Sequence, residues 1–304
     1  MISLVIPLYN EEKLVDELVS RSVKVLNEIG DDFELIIIDD GSKDKTLDKL
    51  IHRKETEKRI KIISLSRNFG HQAAITAGLE FARGDFVAMM DGDLQDPPEL
   101  IKKMYNLLKS GSFDIVNGKR KSRKEGIQKR LLISIFHKIF GNISGLKEIE
   151  NVGNFSMFNR SVLLALLSLK EKIRYLPGLR SFIGFKQGFV EYDREIRTDT
   201  KSKMHLKDLL ALGLDAIFSF SKTPLKICIF LGIIGVIVFL FAGMYVLIAK
   251  IFGFALLGWS STMLSIYFLG SIQLIFLGVL GEYLFRIYKE TQNRPVYFVK
   301  EIYD

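Results

Sequence analysis

Asp91-Gly92-Asp93 follows an apolar run, Asp85–Met90, and stands just before Pro97-Pro98. Two carboxylates two residues apart, with a glycine between them, can turn toward one hard cation. Mg2+ or Mn2+ held by one or two carboxylates, with substrate phosphates completing the shell, is the usual economy of such a site. A metal there offsets the charge that develops on a departing diphosphate. Acidic pairs of this kind also occur in ordinary solvated turns, and it is the strand end that makes this one a candidate. Asp39-Asp40-Gly41-Ser42 is a second acidic cluster, directly after the apolar run Phe33–Ile38. Asp and Ser favour turns and helix caps, so a purely structural role stands beside a functional one. A carboxylate at that position can also accept a base imide N–H or a ribose hydroxyl.

Both clusters need elements that carry them to one edge. Ile2–Pro7, Phe33–Ile38, Ile60–Leu65 and Asp85–Met90 read as short apolar strands. Helical periodicity over Glu11–Ile29, Thr46–Ile51, Gln72–Ala82 and Pro98–Lys109 alternates with them. Continuous apolar strands alternating with helices predict an α/β domain with a mostly parallel, Rossmann-like sheet covered on both faces. Ligands of such sheets bind at the carboxyl ends of the strands. The polar clusters Tyr9-Asn10-Glu11, Asp39-Asp40, Ser66-Arg67-Asn68 and Asp91-Gly92-Asp93 all fall at those ends.

Composition narrows the class of partner. The 304 residues carry a net charge of +8, with 48% hydrophobic residues. Basic residues are interleaved with acidic ones and no nucleic-acid module is present, which argues against a nucleic-acid partner. Cys228 is the single cysteine; it reads as a small apolar filler, and no Cys/His metal spacing exists. Met1–Tyr9 runs straight into a strand without a basic flank or cleavage site, so the expectation is a head that stays in the cytosol. Near the other end, Ile227–Ala249 and Ile251–Gly281 are free of charge. About 20 apolar residues cross the hydrocarbon core as a helix, so two spans are expected. Lys222, Lys226, Arg286, Lys289 and Arg294 flank their outer ends, whereas the connector Lys250–Ser260 carries one charge. The positive-inside rule then places head and tail in the cytosol, with Tyr245 and Trp259 suited to the opposite interface. Ile127–Ile143 and Leu206–Phe220 are amphipathic, fit either for packing on the sheet or for lying in the membrane interface. The resulting division is a catalytic domain at 1–205, a juxtamembrane segment at 206–225, two spans within 226–285 and a cytosolic tail at 286–304.

The ordered set VIPLYNEE (5–12), DDGSKDKT (39–46), LSRNFGHQAAITAGLEFARGDFVAMMDGDLQDPPEL (65–100), RTDTKSKM (197–204) and GEYLFRIYKETQNRPVY (281–297) resembles family 2 of the inverting glycosyltransferases. That family has the GT-A fold. The likeness is strongest to its polyprenyl-phosphate branch, alongside dolichol-phosphate mannose synthases and bactoprenol glucosyltransferases. The resemblance implies that Pro7, Tyr9, Glu11 and Asp39 contact the nucleotide, with Asp40 close by. It implies that Asp91, Asp93 and Gln95 hold the metal and donor diphosphate. Arg120 and Arg130 are expected at the acceptor phosphate, and Arg197, Ser202 and Lys203 over the diphosphate or acceptor phosphate. Cations suit both anionic substrates. A nucleotide-sugar donor, a polyprenyl phosphate acceptor, a multi-pass place in the inner membrane and a homo-oligomer, a tetramer, are further implications. The family weighting favours uridine and leaves the sugar open among glucose, N-acetylhexosamine, mannose and aminoarabinose.

Two departures from the family pattern bear on mechanism. Asn154 stands in Gly153-Asn154-Phe155 where relatives often carry an aspartate proposed as a base. An amide cannot take that proton, but a phosphate monoester has a second pKa of about 6 and is already nucleophilic at neutral pH. A hydroxyl acceptor needs a base, whereas a phosphate acceptor does not. His71 and Asp96 are the alternative bases, His71 reading first as an N-terminal cap or packing residue and only then as a base. Thr200 and Met204 replace the usual Gly and Tyr around Ser202-Lys203 and put that loop's geometry in question. A processive polysaccharide synthase is disfavoured, since the single tryptophan, Trp259, follows Gly258 and forms no Q-x-x-R-W motif. The competing reading from another class is a membrane-anchored nucleotide-sugar-binding scaffold without turnover.

Overall fold

Ile2–Leu8 (β1) is buried along its whole length and is the axis of the sheet. It pairs in parallel with Phe33–Asp39 (β2) on one side and Phe86–Met89 (β4) on the other. Ile60–Leu65 (β3) continues the parallel ladder beyond β2. Leu35, Ile36, Ile37 and Ile38 are fully buried, as a strand covered on both faces requires. Each such side chain contributes about 1.5–3 kcal/mol of apolar burial. The computed structural model describes residues 1–121, 152–172, 174–193, 223–252 and 258–304.

Four helices connect and flank these strands: Val15–Ile29 (α1), Thr46–Thr56 (α2), His71–Phe81 (α3) and Leu100–Lys109 (α4). Leu18, Val19, Val25 and Leu26 of α1 form one buried face, the 3.6-residue stripe expected of a helix lying on a sheet. The chain moves outward from β1 to β2 to β3, then returns to the opposite side of β1 as β4. A topological switch point therefore lies between β1 and β4, where the connections diverge and leave a crevice.

The sheet is mixed rather than mostly parallel. Its order is β7-β5-β6-β4-β1-β2-β3-β8, with Ile115–Arg120 (β5), Val152–Asn159 (β6), Gln187–Tyr192 (β7) and Val299–Tyr303 (β8). β6 is antiparallel to β4 and β5, and β8 is antiparallel to β3. Arg160–Ser168 (α5) and Leu176–Phe182 (α6) follow β6, with Asn159 capping α5 by accepting from Val162 N. The chain divides into two units, Met1–Leu209 with Pro295–Asp304, and Leu210–Arg294. The last ten residues are thus not a free tail: β8 covers the edge of β3 that would otherwise expose unpaired backbone groups.

The second unit contains Thr223–Ile251 (α7) and Trp259–Thr291 (α8). Two spans are expected from composition, but among the described residues one segment is long and apolar enough to cross a membrane, Phe268–Thr291. The apolar part of α7, Cys228–Ala242, is shorter. Phe268–Thr291 also extends past Gly281 into charged residues. There Glu282 and Arg286 pair at 2.8 Å, one helical turn apart, which lowers the cost of carrying both into an apolar medium. The amphipathic segments Ile127–Ile143 and Leu206–Phe220 lie outside the described residues.

Candidate active site

The carboxyl ends of β1, β2 and β3 lie in register, with Leu8 beside Asp39 and Asp39 beside Ser64. The two loops that leave β1 and β2 are zipped together. Asn10 N donates to Ser42 Oγ at 3.0 Å, Lys43 N to Asn10 Oδ1 at 2.8 Å, and Glu11 N to Thr46 Oγ1 at 2.9 Å. The motifs around Tyr9-Asn10-Glu11 and Asp39–Thr46 are therefore one structural piece. Pro7 is buried, and Tyr9 and Glu11 are half-buried in the first loop.

Asp39 and Asp40 are both buried, and their carboxylates are engaged within the protein. Asp39 accepts from Ser42 N at 3.2 Å and Ser64 Oγ at 3.4 Å. Asp40 accepts from Phe69 N at 2.8 Å and Gly70 N at 3.0 Å, binding the loop after β3 to the end of β2. Burial lifts the Asp40 pKa; those two N–H groups restrain the rise and the neighbouring Asp39 charge adds to it. Asp40 thus anchors a loop. Gly41, at φ 67°, sits where a Cβ would lie 2.5 Å from the Arg67 carbonyl carbon, so only glycine lets the two loops meet.

Asp91 leaves the end of β4 at the switch point. Gly92 packs against β1 so closely that a Cβ would come 2.8 Å from Pro7 O and 2.2 Å from Leu8 Cδ2. The turn closes with Gln95 N donating to Asp93 Oδ1 at 3.2 Å, and Leu94 is held at φ 56°. A left-handed leucine costs on the order of 1–2 kcal/mol, a strain of the kind found at functional turns.

The antiparallel register between β4 and β6 pairs Met89 with Ser156. Continued two residues along each chain, it brings Asn154 opposite Asp91. Asn154 Nδ2 lies 3.4 Å from Asp91 Oδ1 and 2.9 Å from His71 Nε2. His71 Nε2 is itself 2.9 Å from Asp91 Oδ1. Burial alone would raise the Asp91 pKa, but the charge and hydrogen bond of His71, with Arg120 and Asn154, hold it well below the usual carboxylate range. Desolvation works against the imidazolium of His71, yet Asp91, Asp93 and Asp40 together raise its pKa. His71 is the first residue of α3, after the N-cap Gly70, and pairs with Asp91.

Arg120, expected at the acceptor phosphate, is engaged in a buried network. Its Nη2 lies 3.6 Å from Asp96 Oδ1 and its Nε donates to Tyr192 Oη at 3.3 Å. The Tyr192 hydroxyl donates to Asp96. Desolvation works against its charge, but Asp96 and Tyr192 more than offset this and raise the Arg120 pKa. Asp96 is fully buried and so is ill placed as the alternative base. The network fixes the far end of the Asp91–Asp96 turn, with Arg120 close enough to lower the Asp91 pKa. Arg130, Arg197, Ser202 and Lys203 lie outside the described residues.

Arg180, absent from the residues singled out in the sequence, supports the site from beneath. It is 1% exposed, and its guanidinium donates to Asn154 O at 3.0 Å, Gly153 O at 2.5 Å and Ser156 Oγ at 2.7 Å. Burial pushes its pKa down to about 10, so it remains charged at neutral pH. Gln72 completes the support, with Nε2 donating to Asn154 Oδ1 at 3.3 Å. The available signal for Arg180 was a lone cation within Leu176–Phe182, an otherwise uncharged stretch.

A mixed α/β sheet with an acidic turn at the switch point of its parallel half defines a GT-A-like domain. The chain belongs to glycosyl transferase family 2, whose profile matches residues 3–167. It is 41% identical to an uncharacterized glycosyltransferase of Synechocystis sp., over 99% of this chain and 95% of that protein. It is 36% identical to a prophage bactoprenol glucosyl transferase homolog of Escherichia coli, over 99% of both. It is 37% identical to the bactoprenol glucosyl transferase of Shigella phage SfII, over 99% of this chain and 97% of that protein. Among solved structures, glucosyl-3-phosphoglycerate synthase from Mycobacterium tuberculosis, in complex with Mn2+, UDP-glucose and phosphoglyceric acid, matches with a TM-score of 0.51. That likeness covers 71% of this chain and 77% of the other at 21% identity, and bears on the fold alone. The protein is a glycosyltransferase, which sets aside the scaffold without turnover. The comparisons give no support to the tetramer.

Proposed function

We propose that this glycosyltransferase moves one sugar from a nucleotide-sugar, a UDP-sugar such as UDP-glucose, to a polyprenyl phosphate such as undecaprenyl phosphate, with inversion. The observation that carries the reading is the amide of Asn154 beside Asp91, 3.4 Å away, in place of a carboxylate base. A dianionic phosphate needs no proton removed, so an acceptor that ionises itself matches a site built this way. The names of the relatives in Escherichia coli and Shigella phage support the same acceptor class. An acceptor phosphate oxygen forms the new bond to the anomeric carbon. The bond from that carbon to the nucleotide diphosphate breaks, and UDP departs with the electron pair. Arg197, Ser202 and Lys203 are proposed to close over the phosphates, and Arg130 to meet the acceptor; Pro7, Tyr9, Glu11 and Asp39 are proposed to border the nucleotide.

The residues present fit a divalent cation, Mg2+ or Mn2+. Asp91 and Asp93 are hard oxygen donors on one turn, with Gln95 adjacent. No group of three acidic, His or Cys side chains is arranged to hold a metal among the described residues. That matches a site completed by the donor's phosphates. When bound, the metal supplies charge neutralisation for the diphosphate. His71 would then share or yield Asp91 Oδ1, which it now contacts.

Strand pairing supports the proposed membrane arrangement. β7 and β8 belong to one sheet, so the chain between Tyr192 and Val299 begins and ends on one side of any bilayer. If Phe268–Thr291 crosses, the number of crossings must be even, because a sheet cannot pair through lipid. We therefore assign a second crossing to α7, with head and C-terminal strand both cytosolic in a multi-pass inner-membrane protein. Purified protein, polyprenyl phosphate and a panel of nucleotide-sugars, read by mass spectrometry of the lipid product, test the function and identify the sugar. A panel without any glycosylated lipid phosphate overturns it.

A further inference from the structure

We infer that the C-terminal strand is a working part of the donor side of the site, and that Phe298 is a positioning residue for the loop Ser66–Gly70. The inference rests on the nucleotide-sugar reading above. β8 does more than cover an edge. Its register places Val299 opposite Leu65 and Glu301 opposite Ser64, with an irregularity between those two β3 residues. Just past the ladder, Ser66 N donates to Phe298 O at 2.9 Å. The ring of Phe298 meets that of Phe69 at 6.1 Å between centroids, and Arg67 lies over the other partner, 4.1 Å from the Phe69 centroid. The same Phe69, through its N–H, and Gly70 hold the Asp40 carboxylate. Arg67 and Asn68 supply the backbone against which Gly41 packs. The loop then enters α3 at His71, which pairs with Asp91.

A continuous path of contacts thus joins Phe298 to Asp40 on the nucleotide side and to Asp91 at the diphosphate. The tail is fastened at both ends. The Tyr297 hydroxyl donates to Glu80 of α3. At the far end Lys61, 7% exposed, pairs with Asp304 at 3.0 Å. Two attachments flanking Phe298 are more than an edge cap requires. They hold the ring and carbonyl against one side of a loop whose other side is held by Asp40 at the end of β2.

The experiment uses full-length protein in detergent. Phe298→Ala is compared with wild type for UDP affinity by calorimetry, KM for UDP-glucose, KM for undecaprenyl phosphate, kcat and Tm. An aromatic contact of this kind is worth about 0.5–1.5 kcal/mol, equivalent to roughly two- to tenfold in affinity. The expected result is weaker UDP binding and a higher donor KM by about that factor, with acceptor KM unchanged and Phe298→Tyr restoring the wild-type values. Hydrogen exchange on the wild type needs no variant: UDP should slow exchange in 66–70 and in 298–303 together. Equal UDP affinity in wild type and a folded Phe298→Ala overturns the inference, as does UDP protection confined to 66–70. If wild-type protein binds neither UDP nor any other nucleoside diphosphate, the donor reading itself has failed and the inference falls with it.

Discussion

Arg180 holds the backbone carbonyl of Asn154 at 3.0 Å from inside the core, while the Asn154 side chain faces Asp91 and His71 on the other side. A buried guanidinium is costly to desolvate, and among the described residues no carboxylate pairs with it. Three acceptors on β6 repay part of that cost. The arrangement makes Arg180 the scaffold for Asn154.

Arg180→Met should leave the Gly153 and Asn154 carbonyls without their donor and let Asn154 drift. The expected outcome is a loss of kcat of about tenfold or more, as small misplacements at a reacting centre produce, with Arg180→Lys recovering part of it. Thermal unfolding checks that the variants fold. Undiminished kcat in a folded Arg180→Met protein contradicts the scaffold role.

The four parallel strands were legible because each is a short run of apolar residues ending in a polar cluster, and Asp91-Gly92-Asp93 was legible from its place after one of them. β5, β6 and β8 were not. Ile115–Arg120 turns polar halfway, Val152–Asn159 opens with Gly and Asn, and Val299–Tyr303 alternates charge as an exposed tail does. Their partners are also remote: Lys61 and Asp304 are 243 positions apart, and Tyr192 and Asp96 are 96 apart. Local pattern carries no information on such pairings, so the embedding of Arg120 and the support from Arg180 emerged only in three dimensions.

Tyr192→Phe tests the buried network. Removing the hydroxyl leaves the fully buried Asp96 carboxylate short of a donor, at a cost of about 1–3 kcal/mol measured by urea unfolding. The Asp91–Asp96 turn should loosen as a result, raising the metal concentration needed for half-maximal activity. An unchanged metal requirement would show that Asp96 does not position the turn.

Asp93→Asn should reduce turnover by about a hundredfold or more, the usual scale for losing one electrostatic contact in the transition state. EDTA should stop the wild type, and Mg2+ or Mn2+ should restore it. Full activity in EDTA removes the metal from the account.

The acid limb of kcat should follow the acceptor's second phosphate ionisation, near about 6. Asn154→Asp should leave that limb in place. His71→Gln should also retain it, since its raised pKa belongs to a pair with Asp91. A limb that vanishes in His71→Gln identifies His71 as the base and defeats self-ionisation of the acceptor.

Topology has its own readout. In a Cys228→Ser background, single cysteines near Asp304 and within Met1–Leu209 should resist a membrane-impermeant reagent applied from outside, whereas one at Ser260 should react. Labelling at Asp304 from outside contradicts the cytosolic placement of head and C-terminal strand, and labelling at Asp304 without labelling in the head contradicts an even number of crossings.

The most direct measurement is the identity of both products from one turnover reaction of purified protein with UDP-glucose and undecaprenyl phosphate. Attack at the anomeric carbon predicts free UDP and a lipid carrying one phosphate and one hexose, in equal amounts. Release of UMP with a lipid diphosphate sugar, or UDP release without any glycosylated lipid, would contradict transfer of a sugar to a polyprenyl phosphate.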